Sequence, residues 1–201
     1  LPTLLDKELN VFIDRIEFSF EKLKKHEYYT KIGGAVGTLA AHYYCYPDID
    51  WDGKLDDFCK SLDLKRWGNT TQITNYEDII EVSQIIIRIN SVFIDLCQDI
   101  WLYISKGYFI LHKENSEQVG SSTMPQKVNP INFENAEANL KLANNSLTFI
   151  CNKLPVSRLQ RDLTDSTILR NYGVNLGYSL LSYNNIIKGI RKLEPNLIVI
   201  R

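Results

Sequence analysis

Between residues 120 and 130 runs Gly-Ser-Ser-Thr-Met-Pro-Gln-Lys-Val-Asn-Pro, a polar stretch with Gly120 at one end and a predicted helix N-terminus at the other. Such an end presents backbone N–H groups without intrahelical partners and about half a positive charge. Lys127 adds a whole charge, so the segment is suited to hold a carboxylate or a developing oxyanion. Ser121 and Ser122 supply hydroxyls beside it. A serine acts as a base only when its alkoxide is stabilised; a cation at about 4 Å contributes about 4 kcal/mol at an effective dielectric of about 20, or about three pKa units. Helix-end donors and exclusion of water must supply the remainder, which calls for a loop that closes over its substrate. The same residues also fit an ordinary Ser/Thr-rich surface loop ahead of a capped helix, and composition leaves both readings open.

A second set lies downstream. Ser166 and Arg170 are four residues apart and share a helix face. Arg161 would fall about 180° from Arg170 on a continuous helix, so it belongs in the connection before that helix. Two guanidiniums and a hydroxyl could then converge on one anion, since guanidinium is the donor best shaped for bidentate contacts to phosphate or carboxylate. Solvated surface charges are the other reading of this set.

These groups need elements to position them. Apolar residues at Leu5, Leu9, Phe12, Ile16, Phe20 and Leu23 step by three and four and predict a helix to about residue 29. Gly33, Gly34 and Gly37 interrupt the pattern; such a cluster either lets backbones approach closely or ends a helix. Residues 46–75 read as loop, with one short helix over 55–62. A long helix follows over 77–105, with Val82, Ile85, Ile89, Phe93, Leu96 and Ile100 in register and an apolar stripe wide enough for burial on more than one side. Its β-branched residues favour strand, but length and spacing decide for helix. Asn129 as N-cap with Pro130 at the first helical position opens a helix to about 147 or beyond, closed by Pro155. Leu169, Tyr172, Leu176, Leu180, Tyr183, Ile187 and Ile190 mark one more helix before Pro195. No alternating strand pattern and no internal repeat is found. The fold class is therefore all-α, an elongated bundle of long helices completed by other subunits.

Composition narrows the rest. At 201 residues, with 44% hydrophobic and 23% charged residues, the chain has the mixture of a globular protein with a sizeable core. A net charge of -1 leaves no global positive field to recruit nucleic acid or an anionic membrane. Arg88 and Asp95 interrupt the most apolar stretch, residues 82–104, so no membrane span is expected. Cys45, Cys59, Cys97 and Cys151 form no CxxC or Cys/His cluster; reduced thiols in the cytoplasm are expected, with no metal site. Leu1-Pro2-Thr3 has no basic region leading into an apolar one, so a signal peptide is not expected there.

Residues 120–130 match every fixed position of Gly-Ser-Ser-x-Met-Pro-x-Lys-x-Asn-Pro, and the chain resembles the fumarase/aspartase superfamily. Residues 130–140 (Pro-Ile-Asn-Phe-Glu-Asn-Ala-Glu-Ala-Asn-Leu), residues 154–170 (Leu-Pro-Val-Ser-Arg-Leu-Gln-Arg-Asp-Leu-Thr-Asp-Ser-Thr-Ile-Leu-Arg) and Thr70-Thr71-Gln72 are similar to its adenylosuccinate lyase branch, particularly the bacterial type. The likeness extends through Gly34-Ala-Val-Gly37 and residues 46–51, so it covers nearly the whole chain. The resemblance implies a lyase that eliminates fumarate from adenylosuccinate, giving AMP, and from succinyl-aminoimidazole carboxamide ribotide in purine biosynthesis. It implies a homotetramer with active sites shared between subunits, a small nucleotide substrate and no metal or redox cofactor. Residues 1–201 would be the central helical domain.

Carried over position by position, the resemblance makes Ser121 the general base. Lys127 and Asn129 would bind substrate and stabilise the aci-carboxylate intermediate, Val128 would contact the substrate, and Glu134 would support the catalytic histidine. Gln72, Asn135, Arg161, Ser166, Thr167, Ile168, Leu169 and Arg170 would contact the substrate, with Asn135, Arg161, Ser166 and Arg170 at its phosphate or succinyl group. The family's general-acid histidine lies in an N-terminal segment that is not matched here. His26 follows a Lys pair and is expected to face solvent, His42 is expected to be packed or hydrogen-bonded, and His112 sits at a loop entrance; none takes that place. Gln126 is shared with argininosuccinate lyase, the alternative enzyme reading, whereas the Arg161, Ser166, Arg170 set separates the two. A non-catalytic helical assembly module is the alternative of a different class.

Overall fold

In the computed structural model, residues 3–74, 76–112 and 128–200 are described. Helices dominate: α1 (Leu5–Lys24), α2 (Ala40–Cys45), α3 (Trp51–Lys60), α4 (Glu77–Ser105), α5 (Ile131–Lys153), α6 (Thr164–Leu169) and α7 (Tyr172–Ile190). Four strands of two or three residues accompany them: β1 (Tyr29–Thr30), β2 (Lys65–Arg66), β3 (Phe109–Leu111) and β4 (Leu193–Pro195). The all-α class is therefore observed. Among the described residues, no helix is long and apolar enough to cross a membrane.

Helix boundaries follow local chemistry. α1 carries Asp6 and Glu8 in its first turn and Lys22 and Lys24 in its last, each sign matched to the nearer pole of the helix dipole. It stops at Lys24, short of the residue 29 expected from the apolar spacing. The His26 N–H turns back to the Leu23 carbonyl, and Tyr29–Thr30 then pairs in parallel with Lys65–Arg66. α3 starts at Trp51 rather than 55, because the Asp50 carboxylate accepts the Gly53 N–H at 3.0 Å and caps the helix. α5 begins one residue later than Asn129 as N-cap would place it. The Pro130 carbonyl accepts the Glu134 N–H at 3.1 Å, which gives Pro130 the half-in position.

The chain divides into two compact units. The first comprises residues 1–19, 87–146 and 173–201. Its core is Phe12, Val92, Leu96, Cys97, Ile100, Phe133, Ala136, Leu140 and Ile186, drawn from α1, α4, α5 and α7. Close approach of α7 to α5 is possible because residue 189 is glycine: a Cβ there would stand 2.7 Å from the Phe133 ring. Asn90, fully buried, donates to Asn144 Oδ1 and Ser179 Oγ, both at 2.9 Å, and accepts from the Tyr183 hydroxyl at 2.5 Å. β3 and β4 pair antiparallel, Phe109 opposite Pro195.

The second unit comprises residues 20–86 and 147–172. Cys59, Ile80, Ile85, Leu147, Ile150 and Leu154 are buried in it. The Ser83 hydroxyl donates to the Ile79 carbonyl at 2.6 Å and lies 3.1 Å from the Tyr172 hydroxyl. The His26 side chain is 5% exposed and its Nδ1 lies 3.6 Å from Glu81, so the expectation of a solvent-facing histidine is wrong. Its edge-on contact with the Tyr28 ring, at 4.8 Å between centroids, fills the space that a polar neighbourhood in sequence would leave to water.

Candidate active site

Ser121 and Lys127, with Gly120 and Ser122, lie outside the described residues. The segment just beyond them belongs to the first unit. Val128 and Asn129 are exposed, and the Asn129 carbonyl accepts the Ile131 N–H at 2.8 Å as the chain turns into α5. Glu134 sits in the first turn of α5, where a carboxylate is favoured by the helix dipole. The Trp101 indole of α4 donates to it at 3.2 Å. Asn135, also exposed, uses its side-chain oxygen to accept from Asn185 at 2.7 Å and from Asn139 at 3.1 Å. Glu134 and Asn135 are thus each tied to a neighbouring side chain and present their remaining polar atoms to solvent.

The second unit holds the other candidates. Gln72 is exposed at a bend spanning residues 71–73, and a cleft of about 400 Å3 opens beside it, lined by Trp67, Asn69, Thr70, Thr71, Ile73, Thr74 and Glu77. The bend leads to Tyr76, whose φ of 61° is left-handed, a conformation that costs a bulky side chain about 1–3 kcal/mol and persists only where surroundings impose it. The imposing contact is visible: the Tyr76 hydroxyl donates to Asp165 at 2.5 Å.

Arg161 lies in the connection ahead of α6, while Ser166 to Leu169 lie on α6 and Arg170 is its C-cap. Arg161 Nη2 stands 3.5 Å from Asp165 Oδ1, and its buried Nε has no hydrogen-bond partner among the described residues. The Ser166 hydroxyl is turned to the Leu163 carbonyl at 3.0 Å, so without a ligand it is satisfied within its own turn. Thr167 and Arg170 are exposed; Ile168 and Leu169 are half-buried. The start of α6 is already charge-compensated: Asp162 accepts the Thr164 N–H at 3.1 Å and faces Arg158 at 3.6 Å and Lys153 at 3.7 Å. Arg161 and Arg170, not the helix end, are therefore the groups left to meet an anion in this segment.

Asp165 escaped the sequence reading, which sought cations and hydroxyls. It is 5% exposed. Burial would push its carboxyl up, yet the Tyr76 hydroxyl, the Ser166 N–H and the Arg161 guanidinium outweigh burial and hold it below the usual carboxylate range. Tyr76, in turn, is pushed up to about 12 by burial and by the Asp165 carboxylate it serves. The signal that could have found Asp165 is a carboxylate only four residues after Arg161, at the start of the helix that Arg161 precedes.

Comparison with known proteins decides the family. Residues 2–144 match the profile of a family described as Lyase. The chain belongs to this lyase family. Residues 157–201 of this lyase-family chain match a second profile, described as adenylosuccinate lyase C-terminal. Its sequence is 49% identical over 195 residues to an adenylosuccinate lyase of Legionella pneumophila, covering 97% of this chain and 42% of that protein. An adenylosuccinate lyase of Dictyostelium discoideum is 50% identical over 198 residues, with 97% and 42% covered. An adenylosuccinate lyase of Escherichia coli is 45% identical over 195 residues, again with 97% and 42% covered. The lyase-family chain thus spans about two-fifths of the length of the curated relatives it matches. The likeness read from residues 120–130 and 154–170 agrees with these relatives. Among the described residues of this family member, no group of three or more His, Cys, Asp or Glu could hold a metal ion.

Proposed function

We propose that this chain contributes the base-bearing and anion-binding segments of an adenylosuccinate lyase, which eliminates fumarate from adenylosuccinate and from succinyl-aminoimidazole carboxamide ribotide. The observation that carries the substrate assignment is that residues 157–201, which hold Arg161, Ser166 and Arg170, match the adenylosuccinate lyase C-terminal profile. In this reading Ser121 removes a proton from the succinyl carbon next to the C–N bond. Lys127, Asn129 and N–H groups before α5 then stabilise the dianionic carboxylate that results. The electron pair returns to form the carbon–carbon double bond of fumarate as the C–N bond breaks. A histidine contributed by another segment or another copy protonates the departing nitrogen. Glu134 supports that histidine, and Gln72, Val128, Asn135, Arg161, Ser166, Thr167, Ile168, Leu169 and Arg170 line the substrate, with Arg161 and Arg170 on its anionic groups.

The active assembly is a homotetramer with sites completed across subunits. Exposed apolar residues on α7, among them Leu180, Leu181, Ile187 and Ile190, support an assembled state, because water-facing side chains of this size at helical spacing favour burial against another surface. A reducing, cytoplasmic setting fits the four free cysteines. The 201-residue chain by itself is expected to release no fumarate. The test is fumarate release by the complete polypeptide carrying this sequence, assayed with adenylosuccinate against argininosuccinate. Turnover of adenylosuccinate supports the reading; preference for argininosuccinate, or turnover of neither, overturns it.

A further inference from the structure

We propose that Tyr76 and Asp165 are positioning residues for Arg161: the Asp165 carboxylate holds the guanidinium in place, and the Tyr76 hydroxyl, by occupying that carboxylate, keeps the guanidinium from collapsing onto it and leaves it open for an anionic group of the nucleotide substrate. The proposal rests on the adenylosuccinate lyase reading for the identity of that anion, and on geometry within the second unit for everything else.

Asp165 is an uncommon partner for an arginine that must also bind ligand. A buried carboxylate beside a guanidinium ordinarily draws it into a short, bidentate pair of about 2.7–2.9 Å, which consumes the planar donor edge. Here the contact is a single one at 3.5 Å. The reason is that other donors already serve the carboxylate. The Tyr76 hydroxyl takes Oδ2 at 2.5 Å, and the Ser166 N–H takes Oδ1 at 2.7 Å. With both oxygens engaged, Asp165 holds Arg161 by charge and loose contact without occupying its remaining N–H groups. The Arg161 side chain is 30% exposed, and its buried Nε has no partner among the described residues. A guanidinium so placed has donors to give to a phosphate or carboxylate.

The left-handed backbone of Tyr76 fits the same role. An aromatic side chain at φ 61° is strained, and the strain is compensated where the hydroxyl reaches Asp165 across 89 residues of sequence. Tyr76 also ends the segment that contains Gln72. One hydrogen bond therefore ties the segment carrying Gln72 to the first turn of α6, beside Arg161, and the two candidate substrate contacts are held in one framework. Because the Tyr76 hydroxyl keeps its proton well past the usual phenol range, it remains a donor at any working pH.

Losing the Tyr76 hydroxyl frees Oδ2, and among the described residues Arg161 is the cation already paired with this carboxylate. Tyr76→Phe in the complete polypeptide is expected to raise KM for adenylosuccinate about tenfold with kcat within about twofold. It should weaken AMP binding, measured by calorimetry, by about the same factor. In an Arg161→Ala background the same substitution should change neither quantity by more than about twofold, because a positioning residue acts only through the group it positions. If Tyr76→Phe does not fold, Asp165→Asn takes its place: it removes the charge that holds Arg161 rather than the hydroxyl that shields it, so KM and AMP binding should weaken about tenfold with Arg161 present and by no more than about twofold in the Arg161→Ala background. Equal losses with and without Arg161, or unchanged KM and AMP affinity, overturn the proposal while leaving fumarate release intact. If no fumarate is released but AMP binding depends on Tyr76 only when Arg161 is present, the functional reading fails and the positioning stands. Absence of AMP binding by the unaltered protein overturns both.

Discussion

A Cβ on Gly37 would stand 1.8 Å from the Thr70 carbonyl oxygen, so the turn over residues 34–37 and the segment leading to Gln72 meet backbone to backbone. Gly37 also has a φ of 75°, where an L side chain is strained whatever the space. Gly37→Ala is therefore expected to cost about 3 kcal/mol or more in urea denaturation. Gly68→Ala, where nothing lies within 4 Å of the new atom, is expected to shift stability by no more than about 1 kcal/mol. Similar effects of the two substitutions would contradict the close approach.

Asn90 is the polar hub of the first unit, serving Asn144, Ser179 and Tyr183 at once. Asn90→Ala removes three hydrogen bonds and leaves the Tyr183 hydroxyl without its acceptor in a buried site. A loss of about 3 kcal/mol is expected in chemical denaturation, more than a neutral hydrogen bond contributes, because the stranded partners lose water without gaining a replacement. A loss below about 1 kcal/mol would show that water takes the place of the side chain.

Stability should also fall on the alkaline side. Burial pushes Tyr183 up to about 12, and burial with the Asp165 carboxylate does the same for Tyr76, whereas both ionise near 10 in the unfolded chain. Below about pH 10 both are protonated in either state and their stabilisation is complete. Between about pH 10 and 12 only the unfolded chain releases these protons, so unfolding becomes easier as pH rises. Tyr183→Phe should flatten that decline in thermal melts recorded across the window. Asp165 works in the opposite sense: its lowered carboxyl stabilises the fold above about pH 4 and loses that effect as pH falls below the usual carboxylate range. Asp165→Asn should flatten the acid limb.

The contact between Trp101 and Glu134 predicts a functional asymmetry. The indole and carboxylate are both substantially exposed, so their 3.2 Å hydrogen bond adds little to stability. Trp101→Phe is expected to shift stability by less than about 1 kcal/mol. If Glu134 supports the general acid, the same change should lower kcat about threefold to tenfold by loosening the carboxylate. Unchanged kcat in the complete polypeptide would remove Glu134 from the catalytic framework.

Long helices were the legible part of this chain. The apolar steps from Val82 to Ile100 recur over about five turns of α4, and the bounds of that helix, Glu77 and Ser105, match the expectation. The short elements were not legible, because two residues such as Tyr29 and Thr30 cannot display an alternation and pair only because Lys65 and Arg66 come alongside. The cluster of Gly33, Gly34 and Gly37 was readable as either a close approach or a helix end, and only the structure decides for close approach at Gly37, with Thr70 as the partner. At the candidate site, Arg161, Ser166 and Arg170 were readable as anion-binding residue types, and Gln72, Asn129, Glu134 and Asn135 only through family likeness. Asp165 and Tyr76 were not, since a buried carboxylate and a strained tyrosine gain meaning from a contact spanning 89 residues.

In the proposed mechanism the hydroxyl of Ser121 is the base that starts fumarate elimination. The direct measurement is the rate of fumarate formation from adenylosuccinate by the complete polypeptide with Ser121 intact and with Ser121→Ala. With Ser121 as the base, Ser121→Ala is expected to lose about 100-fold to 10,000-fold in kcat with KM little changed, the range that general acid–base groups contribute. Turnover by the Ser121→Ala protein equal to that of the unaltered enzyme would contradict it.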